Sequence, residues 1–218
     1  RLFLSRDPFG EKPLYYTSLK DKFIFGSEIK YIKNLRGENF DLNKELINKN
    51  LFLGYKSIHK NNHTFFKNIY SVNNGENIFV DLDFNIKKKT YWLPKLEIDK
   101  SISYKDAVNE TYRLLCNSLK LRLRADVPIA FCLSGGIDSS LLASISKKVF
   151  NKNINTFSIY DSDERYNELE YIKLINKNLN SNGTIIDITK LKSNFLARLN
   201  KLTINHDSPV ATISYYLH

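Results

Sequence analysis

The sequence predicts a strand-rich α+β unit at the N-terminal end, followed from about Ser101 by an α/β unit with a parallel sheet. Short apolar runs and Pro/Gly turns dominate the first part. In the second part, strand patterns alternate with helix patterns, and such alternation predicts a parallel sheet that binds ligands at the carboxyl ends of its strands. A glycine-rich loop joins the first of these strands to a helix.

In the first unit, apolar runs bounded by turn residues predict strands at 2–4, 23–25, 64–70 and 77–83. The first two flank the turn region 8–13, so we expect them to form a hairpin-like pair. Asn73-Asn74-Gly75 separates the other two and is a favourable turn sequence. Residues 43–53 have a weak helical pattern. Residues 91–100 are the expected connector, with Trp92 packing at the seam between domains.

The second unit opens with Ser103-Tyr104-Lys105-Asp106, which matches a helix capping box. Apolar residues at helical spacing then predict four helices. Their stripes are Val108, Tyr112, Leu115 and Leu119; Ile137, Leu141, Ile145 and Val149; Leu169, Ile172, Ile175 and Leu179; and Leu191, Phe195, Leu199 and Leu202. Predicted strands at 127–133, 154–160 and 184–188 alternate with them, the first as a buried strand.

The loop 134–136 lies between the strand 127–133 and the second helix. The first N–H groups of a helix lack an intrahelical partner and the helix dipole adds positive charge, so this junction favours an oxyanion. Two glycines allow close approach, and Ser134, Ser139 and Ser140 add hydroxyl donors. Asp138 would repel a phosphate unless a divalent cation lay between them, so the pattern fits magnesium pyrophosphate.

The loop has two competing interpretations. It is not a Walker A loop, because no Lys follows its second glycine in the required arrangement. A simple Ser/Gly turn with an Asp that complements a helix N-terminus would look similar. Two glycines, three hydroxyls and one carboxylate within seven residues favour the anion site.

Three motifs carry a family resemblance. Ser-Gly-Gly-Ile-Asp-Ser-Ser at 134–140 resembles the signature of the ATP-pyrophosphatase superfamily, whose members split ATP into AMP and pyrophosphate. Arg-Asp-Pro-Phe-Gly-Glu-Lys-Pro-Leu-Tyr-Tyr at 6–16 and Phe-Gly-Ser-Glu-Ile-Lys at 25–30 resemble the late glutaminase segment of glutamine-hydrolysing asparagine synthetases. With these blocks in this order, the chain is identified as a partial member of that family.

This resemblance implies a domain organisation. Residues 1–98 would be the C-terminal part of a glutaminase-type amidotransferase domain, a remnant of its sandwich, plus the connector. Residues 99–218 would be the N-terminal part of a synthetase domain with the ATP-pyrophosphatase, or adenine nucleotide α-hydrolase-like, fold. The chain contains no Met and begins with Arg1. We therefore expect a piece of a longer protein that lacks the family's N-terminal Cys nucleophile and is inactive alone.

The resemblance also implies ATP and Mg²⁺ as cofactors. Backbone groups of Cys132 and Ile159 would hold the adenine. Asp138 would bind magnesium directly or through water, and is the predicted catalytic and metal-binding residue. The predicted pyrophosphate-binding residues are Ser134, Gly135, Gly136, Ile137, Asp138 and Ser139.

The implied reaction is adenylation of the aspartate side-chain carboxylate, followed by amidation with glutamine-derived ammonia. Relatives often carry a His shortly after Gly183-Thr184, and this chain does not, so a sugar carboxylate or another acid stays open as acceptor. His-Asp-Ser-Pro-Val at 206–210 resembles the segment that precedes the acceptor site in the family. A tRNA-modifying ATP pyrophosphatase and a non-catalytic nucleotide-binding module also stay open.

Composition limits partners and location. The net charge is +10, but the lysines are scattered except at 87–89 and 147–148, so we expect no nucleic-acid partner. Cys116 and Cys132 are expected to be small apolar residues of a helix and a buried strand. Without a signal peptide or long apolar run, we expect a reduced, cytoplasmic protein with no membrane partner. A homodimer is left open.

Overall fold

The computed structural model describes residues 1–37, 40–54, 61–165, 167–191 and 194–209. These residues form two units. Unit 1 contains residues 1–97 of the chain together with residues 203–209, and unit 2 contains residues 98–202.

The strands are β1 (Leu2–Ser5), β2 (Tyr15–Ser18), β3 (Phe23–Gly26), β4 (Tyr70–Ser71), β5 (Glu76–Val80), β6 (Ile86–Thr90), β7 (Ala130–Cys132), β8 (Asn155–Tyr160) and β9 (Asn182–Asp187). The α-helices are α1 (Ile29–Arg36), α2 (Lys44–Leu53), α3 (Tyr104–Arg122), α4 (Ile137–Lys148), α5 (Leu169–Leu179) and α6 (Phe195–His206). A short 3₁₀-helix spans Ile188–Leu191.

Unit 1 contains two antiparallel sheets, with strand orders β1-β5-β6 and β3-β2-β4. Residues from both sheets share one core cluster: Leu4, Tyr16, Val72, Ile78 and Val80. A second cluster packs α1 against the chain that follows it: Ile29, Ile32, Phe40 and Ile69. The predicted α+β character of this part is confirmed.

The predicted strands at 2–4 and 23–25 and the helix at 43–53 are confirmed, but the hairpin-like pairing is wrong. Strand β1 pairs with β5, and β3 pairs with β2. Pattern reasoning missed β2 because Tyr16 and Thr17 are both buried, so this strand lacks the alternation that reveals a half-buried strand. Helix α1 and strand β6 were also missed.

The predicted strand at 64–70 is wrong except at Tyr70. The Thr64 hydroxyl donates to the carbonyl oxygens of Phe66 (3.0 Å) and Ile69 (2.9 Å), and Asn68 has a left-handed φ of 61°. Side-chain bonding of this kind competes with a β ladder. The turn at 73–75 is confirmed by the bond from the Glu76 N–H to the Asn73 carbonyl oxygen, 3.2 Å.

Unit 2 contains the predicted parallel sheet, with strand order β7-β8-β9. Helix α3 begins where the capping box predicts: the Ser103 hydroxyl accepts from the Asp106 N–H at 3.1 Å. The predicted strand at 127–133 is shortened to Ala130–Cys132, and both end residues of β7 are exposed. The prediction that Cys132 lies buried is therefore wrong, because the described residues leave its side of the sheet open.

The apolar stripe predicted for α4 faces the core only in part, since Ile145 is buried as predicted while the two end residues of the stripe are exposed. Ile137 is 84% exposed and Val149 is 48% exposed, whereas the buried residues are Ala143, Ile145 and Ser146. Ser146 can be buried because its hydroxyl donates to the Leu142 carbonyl oxygen (2.8 Å). Small side chains on this face let the helix approach its neighbours closely.

The other helices of unit 2 follow their predicted stripes in part. In α3 only Leu119 is buried, while Val108 and Tyr112 stay about half exposed. In α5 Ile172 and Leu179 are buried as predicted, and in α6 Leu202 is.

The connector 91–100 has neither helix nor strand, as predicted. Trp92 belongs to unit 1, where its ring contacts the Phe9 ring with centroids 5.1 Å apart. Gly75 has a φ of +63°, and a Cβ there would lie 2.5 Å from the Trp92 carbonyl oxygen. Among the helices that the structure describes, none combines the length and apolar character that crossing a bilayer requires.

Candidate functional site

The carboxyl end of the parallel sheet presents the predicted anion loop. The Leu133 N–H donates to the Phe157 carbonyl oxygen (2.8 Å), which continues the β7–β8 ladder by one residue. The Leu133 side chain is only 2% exposed. It therefore anchors the chain immediately before residues 134–136 leave the sheet and enter α4.

The first glycine of the loop has a backbone conformation that other residues adopt poorly. Gly135 has a φ of +80°, in the left-handed region. A Cβ on it would lie 3.1 Å from the Glu168 Cβ and 3.2 Å from the Tyr171 Cβ. Gly136 is the N-cap of α4, with φ −72° and ψ 164°. Thus the start of α5 packs against the loop and fixes its course, a contact that sequence reasoning did not identify.

Serine hydroxyls hold the loop in shape. The Ser139 hydroxyl accepts from the Ser134 N–H at 3.2 Å and lies 3.1 Å from the Ser134 hydroxyl. The Ser140 hydroxyl donates to the Gly136 carbonyl oxygen at 2.6 Å. The Gly136 N–H donates to the Ser134 hydroxyl at 3.3 Å. The loop is therefore preorganised, and Ser134 and Ser139 stand beside the first turn of α4, where helix N–H groups lack intrahelical partners.

Asp138 and Ile137 occupy the first turn of α4, and both are exposed. The Ile137 side chain is mostly exposed, and an aliphatic side chain cannot bind an anion. If Ile137 takes part in anion binding, it does so through its backbone N–H group. Within the described parts of the chain, no group of three or more His, Cys, Asp or Glu side chains is arranged to hold a metal ion. One carboxylate still suits Mg²⁺, which often binds through one or two carboxylates plus substrate phosphates and water.

Cys132 and Ile159 lie at neighbouring strand ends, but their backbone groups face different directions. Cys132 pairs with Phe157, and the Leu133 N–H bonds the Phe157 carbonyl. In a parallel ladder, backbone groups of successive residues point to alternate sides. The groups of Ile159 therefore point toward β7 and past its end, whereas those of Cys132 point away from β8. A base bound by both would span the end of β7.

An ion pair lies directly after β8, in the turn that contains Asp161, Asp163 and Glu164. The Arg165 guanidinium lies 2.6 Å from Asp163 and, with the Arg165 N–H, holds the pKa of that carboxyl below its usual value. Asp161 accepts from the Asp163 N–H at 3.0 Å. A position directly after a parallel strand is typical of metal-binding carboxylates. Because Asp163 is paired with Arg165, it is less suited to bind a metal ion than this position implies. Tyr166, next in the chain, lies outside the described residues.

In unit 1, the Arg-Asp pair at 6–7 organises the loop that follows β1. The Arg6 guanidinium donates to the carbonyl oxygens of Val72 (2.6 Å) and Gly10 (3.1 Å). The Asp7 carboxylate accepts from the N–H groups of Glu11 and Lys12, each at 2.9 Å. These bonds give Arg6 and Asp7 a structural role in shaping the loop. That role accounts for their presence in the motif Arg-Asp-Pro-Phe-Gly without a catalytic function for either side chain.

The bonds at Asp7 predict a pH dependence of stability. Backbone N–H donors, first that of Lys12 and then that of Glu11, hold the pKa of Asp7 below its usual 3.8. The carboxylate therefore stabilises the fold above that value, and this contribution is lost as the pH falls through the lower, folded-state pKa. Asp7→Asn cannot ionise, so its urea midpoint should fall less between neutral and acid pH than that of the wild type.

The matched control for this test is Asp21→Asn, at an exposed residue in the turn between β2 and β3. Its acid sensitivity should equal that of the wild type. An Asp7→Asn variant with the same acid sensitivity as the control would contradict the account of this loop.

Unit 1 also contains a cavity of about 660 Å³ that is open to solvent. Its lining includes Arg6, Tyr15, His63 and Asp207. Burial raises the pKa of Tyr15 above its usual 10.0, and the charge of Arg6 partly opposes this shift. Both cysteines lie in unit 2, so residues 1–97 contain no thiol nucleophile for this cavity.

Comparison with known proteins assigns sequence families to both parts of the chain. The sequence profile described as asparagine synthase matches residues 110–212. The profile described as glutamine amidotransferase domain matches residues 1–92. The two matches follow one another along the chain without overlap.

Curated relatives cover most of the chain. A protein provisionally named asparagine synthetase (glutamine-hydrolysing) 2, from Methanocaldococcus jannaschii, is 31% identical over 177 residues, which are 80% of this chain and 34% of that protein. Asparagine synthetase (glutamine-hydrolysing) 1 of Bacillus subtilis is 29% identical over 212 residues, 96% of this chain and 32% of that protein. Amidase chyE of Penicillium rubens is 33% identical over 149 residues, which are 66% of this chain and 21% of that protein. The chain spans about a third or less of each relative's length.

Proposed function

Because the chain belongs to the asparagine synthetase family, we propose that it is part of an ATP-dependent ligase that makes asparagine from aspartate and glutamine. Residues 1–98 would belong to the glutaminase-type domain and its connector, and residues 99–218 to the synthetase domain. Glutamine hydrolysis would supply ammonia, and ATP would activate the aspartate side chain.

Activation is needed because a carboxylate is a poor electrophile. Its charge repels nucleophiles, and oxide is a poor leaving group. Attack of a carboxylate oxygen on the α-phosphorus of ATP forms an acyl adenylate and releases pyrophosphate. Ammonia then attacks the acyl carbon, and AMP leaves with the carbon–oxygen electron pair. The protein must therefore stabilise the negative charge that develops on the departing pyrophosphate.

The observation that supports this role is the preorganised loop 134–139 at the carboxyl end of the parallel sheet. Its N–H groups and the Ser134 and Ser139 hydroxyls would donate to the pyrophosphate oxygens, exchanging the present contacts between the two serines for contacts with the anion. Asp138 would hold Mg²⁺, which when bound neutralises phosphate charge. Backbone groups of Cys132 and Ile159 would hold the adenine.

A second candidate is a related amidotransferase that acts on another acid. The name of the Penicillium relative, amidase, favours keeping this alternative. The cytoplasmic location predicted from the sequence remains a prediction.

The experiment is exchange of labelled pyrophosphate into ATP by the intact protein that contains these residues. Exchange that requires aspartate is expected. Exchange that requires a different acid would support the second candidate, and absence of exchange with every acid tested would contradict the proposed ligase.

A further inference from the structure

Asp207 fastens the end of α6 to the beginning of α1, and both ends of this contact lie in unit 1. Its Oδ2 accepts from the Ile29 N–H at 3.0 Å and from the Lys30 N–H at 3.2 Å. The Lys30 ammonium donates to the Asn205 carbonyl oxygen at 3.0 Å. Three hydrogen bonds thus hold residues 205–207 against the first turn of one helix.

The sequence around α1 does not provide this cap. Glu28 occupies the N-cap position but makes no side-chain cap bond. Its carboxylate pairs instead with the Lys30 ammonium at 2.6 Å. The N–H groups of a first helical turn need an acceptor, and here Asp207 supplies it from 178 positions further along the chain.

The contact joins the two family segments. Ile29 and Lys30 lie in the match to the glutamine amidotransferase domain, and Asp207 lies in the match to asparagine synthase. The described synthase-matched residues up to 202 belong to unit 2, whereas residues 203–209 belong to unit 1. Within the described residues, 203–209 are therefore the part of the asparagine synthase match that belongs to unit 1.

Polar bonds contribute to the retention of this segment. Ile204 remains 67% exposed, so its burial contributes little. Asp207 has a left-handed φ of 53°, a conformation that Asn, Asp and Gly tolerate better than other residues. The sequence position thus combines a backbone turn with a carboxylate aimed at α1.

We propose that Asp207 is a positioning residue that couples glutamine hydrolysis to amide formation, an inference that rests on the proposed function. It contacts neither substrate in this account. By holding residues 205–207 against α1, it keeps the synthase-matched segment attached to the amidotransferase-matched segment while ammonia passes from one reaction to the other. Without this attachment, ammonia escapes to solvent and glutamine is hydrolysed without amide formation.

The stoichiometry of the intact protein tests this inference. Each glutamine hydrolysed gives one glutamate and one ammonia, and each ammonia that attacks the acyl adenylate releases one AMP, so coupled turnover forms glutamate and AMP equally. Asp207→Gly removes the carboxylate while glycine accepts the positive φ. We expect its glutamate-to-AMP ratio to rise at least about fivefold, the lower range of coupling between sites, with amide formation from added ammonium salt unchanged.

Two further variants separate positioning from stability. Asp207→Asn retains an oxygen acceptor and tolerates the same φ, so it should restore a ratio near one. Lys30→Ala removes the separate bond to Asn205 and should also raise the glutamate-to-AMP ratio. If Asp207→Gly does not accumulate as folded protein, the ratio of Lys30→Ala tests the positioning role in its place. The control is Asn43→Ala, which removes the local cap of α2 at the Leu46 N–H and should leave the ratio unchanged.

Different results would overturn different claims. If the wild type forms no AMP from aspartate, glutamine and ATP, the proposed function fails. If the wild type is coupled and Asp207→Gly, or Lys30→Ala in its place, keeps a ratio of one, the positioning role alone fails. An equal rise in Asn43→Ala would assign the effect to lost stability and would likewise overturn that role.

Discussion

Replacing Asp138 by alanine in the intact protein should lower aspartate-dependent exchange of pyrophosphate into ATP by about a hundredfold or more. Asp138 is the exposed acidic residue in the first turn of α4, beside the loop 134–136. A carboxylate at a helix N-terminus would oppose a phosphate if both were bound without a cation between them. Because the proposed role of the Asp138 carboxylate is to hold Mg²⁺, its removal should raise the magnesium concentration required for half-maximal exchange as well as slow the reaction.

Asp106→Ala is the matched control, because Asp106 is also an exposed acidic residue in the first turn of a helix of unit 2. Its exchange rate and magnesium requirement should match those of the wild type. If Asp138→Ala exchanged pyrophosphate as fast as this control, the magnesium role assigned to Asp138 would have to be abandoned.

The second large effect is expected from Gly135→Ala. Left-handed backbone costs a residue with a Cβ about 1–2 kcal/mol, and the new Cβ would press on Glu168 and Tyr171 at 3.1 and 3.2 Å. Relief of this contact must move either the loop or the start of α5. Because 1.4 kcal/mol corresponds to a tenfold change in an equilibrium constant, we expect ATP binding to weaken by about tenfold or more, measured by titration calorimetry.

Gly37→Ala provides the comparison. Gly37 has a similar φ of +76°, but among the described residues other than its neighbours in the chain, no atom lies within 4 Å of the Cβ that would be added. This variant should lose a similar amount of stability to urea while retaining wild-type ATP affinity. Equal affinities of the Gly135 and Gly37 variants would show that the shape of the loop does not determine nucleotide binding.

The strand–loop–helix unit of the candidate site was predictable from sequence because its signals are local. Glycines, serines and an acidic residue between an apolar run and a helical pattern specify a turn whatever packs around it. The direction of the sheet was also predictable, since alternating strands and helices favour parallel pairing. The structure confirms the loop's position between β7 and α4 and the parallel order β7-β8-β9.

Strand pairing in unit 1 was not predictable in this way. Leu4 pairs with Ile78, and nothing in a run of residues near Leu4 specifies a partner so distant in the chain. The Asp207 contact has the same origin: a carboxylate caps a helix whose own N-cap, Glu28, forms no cap bond. Such long-range choices depend on tertiary packing, which a local pattern does not encode.

Helix α4 shows a further limit. Its apolar stripe predicted a buried face through Ile137, yet that side chain is 84% exposed, while Ala143 and Ser146 are fully buried. Periodicity weighs large apolar residues most heavily, whereas close helix packing favours small ones. The Ser146 hydroxyl donates to the Leu142 carbonyl oxygen of its own helix, so this serine can be buried. A hydropathy pattern nevertheless scores serine as a polar, exposed residue.

The most direct measurement is a crystal structure of the intact protein with magnesium and an ATP analogue that has a methylene bridge between the α- and β-phosphorus atoms. We expect the β- and γ-phosphate oxygens to accept hydrogen bonds from N–H groups and hydroxyls of residues 134–139, with the cation between these phosphates and Asp138. Phosphates seated elsewhere, with this loop retaining its internal serine contacts, would contradict the activation chemistry proposed for this chain.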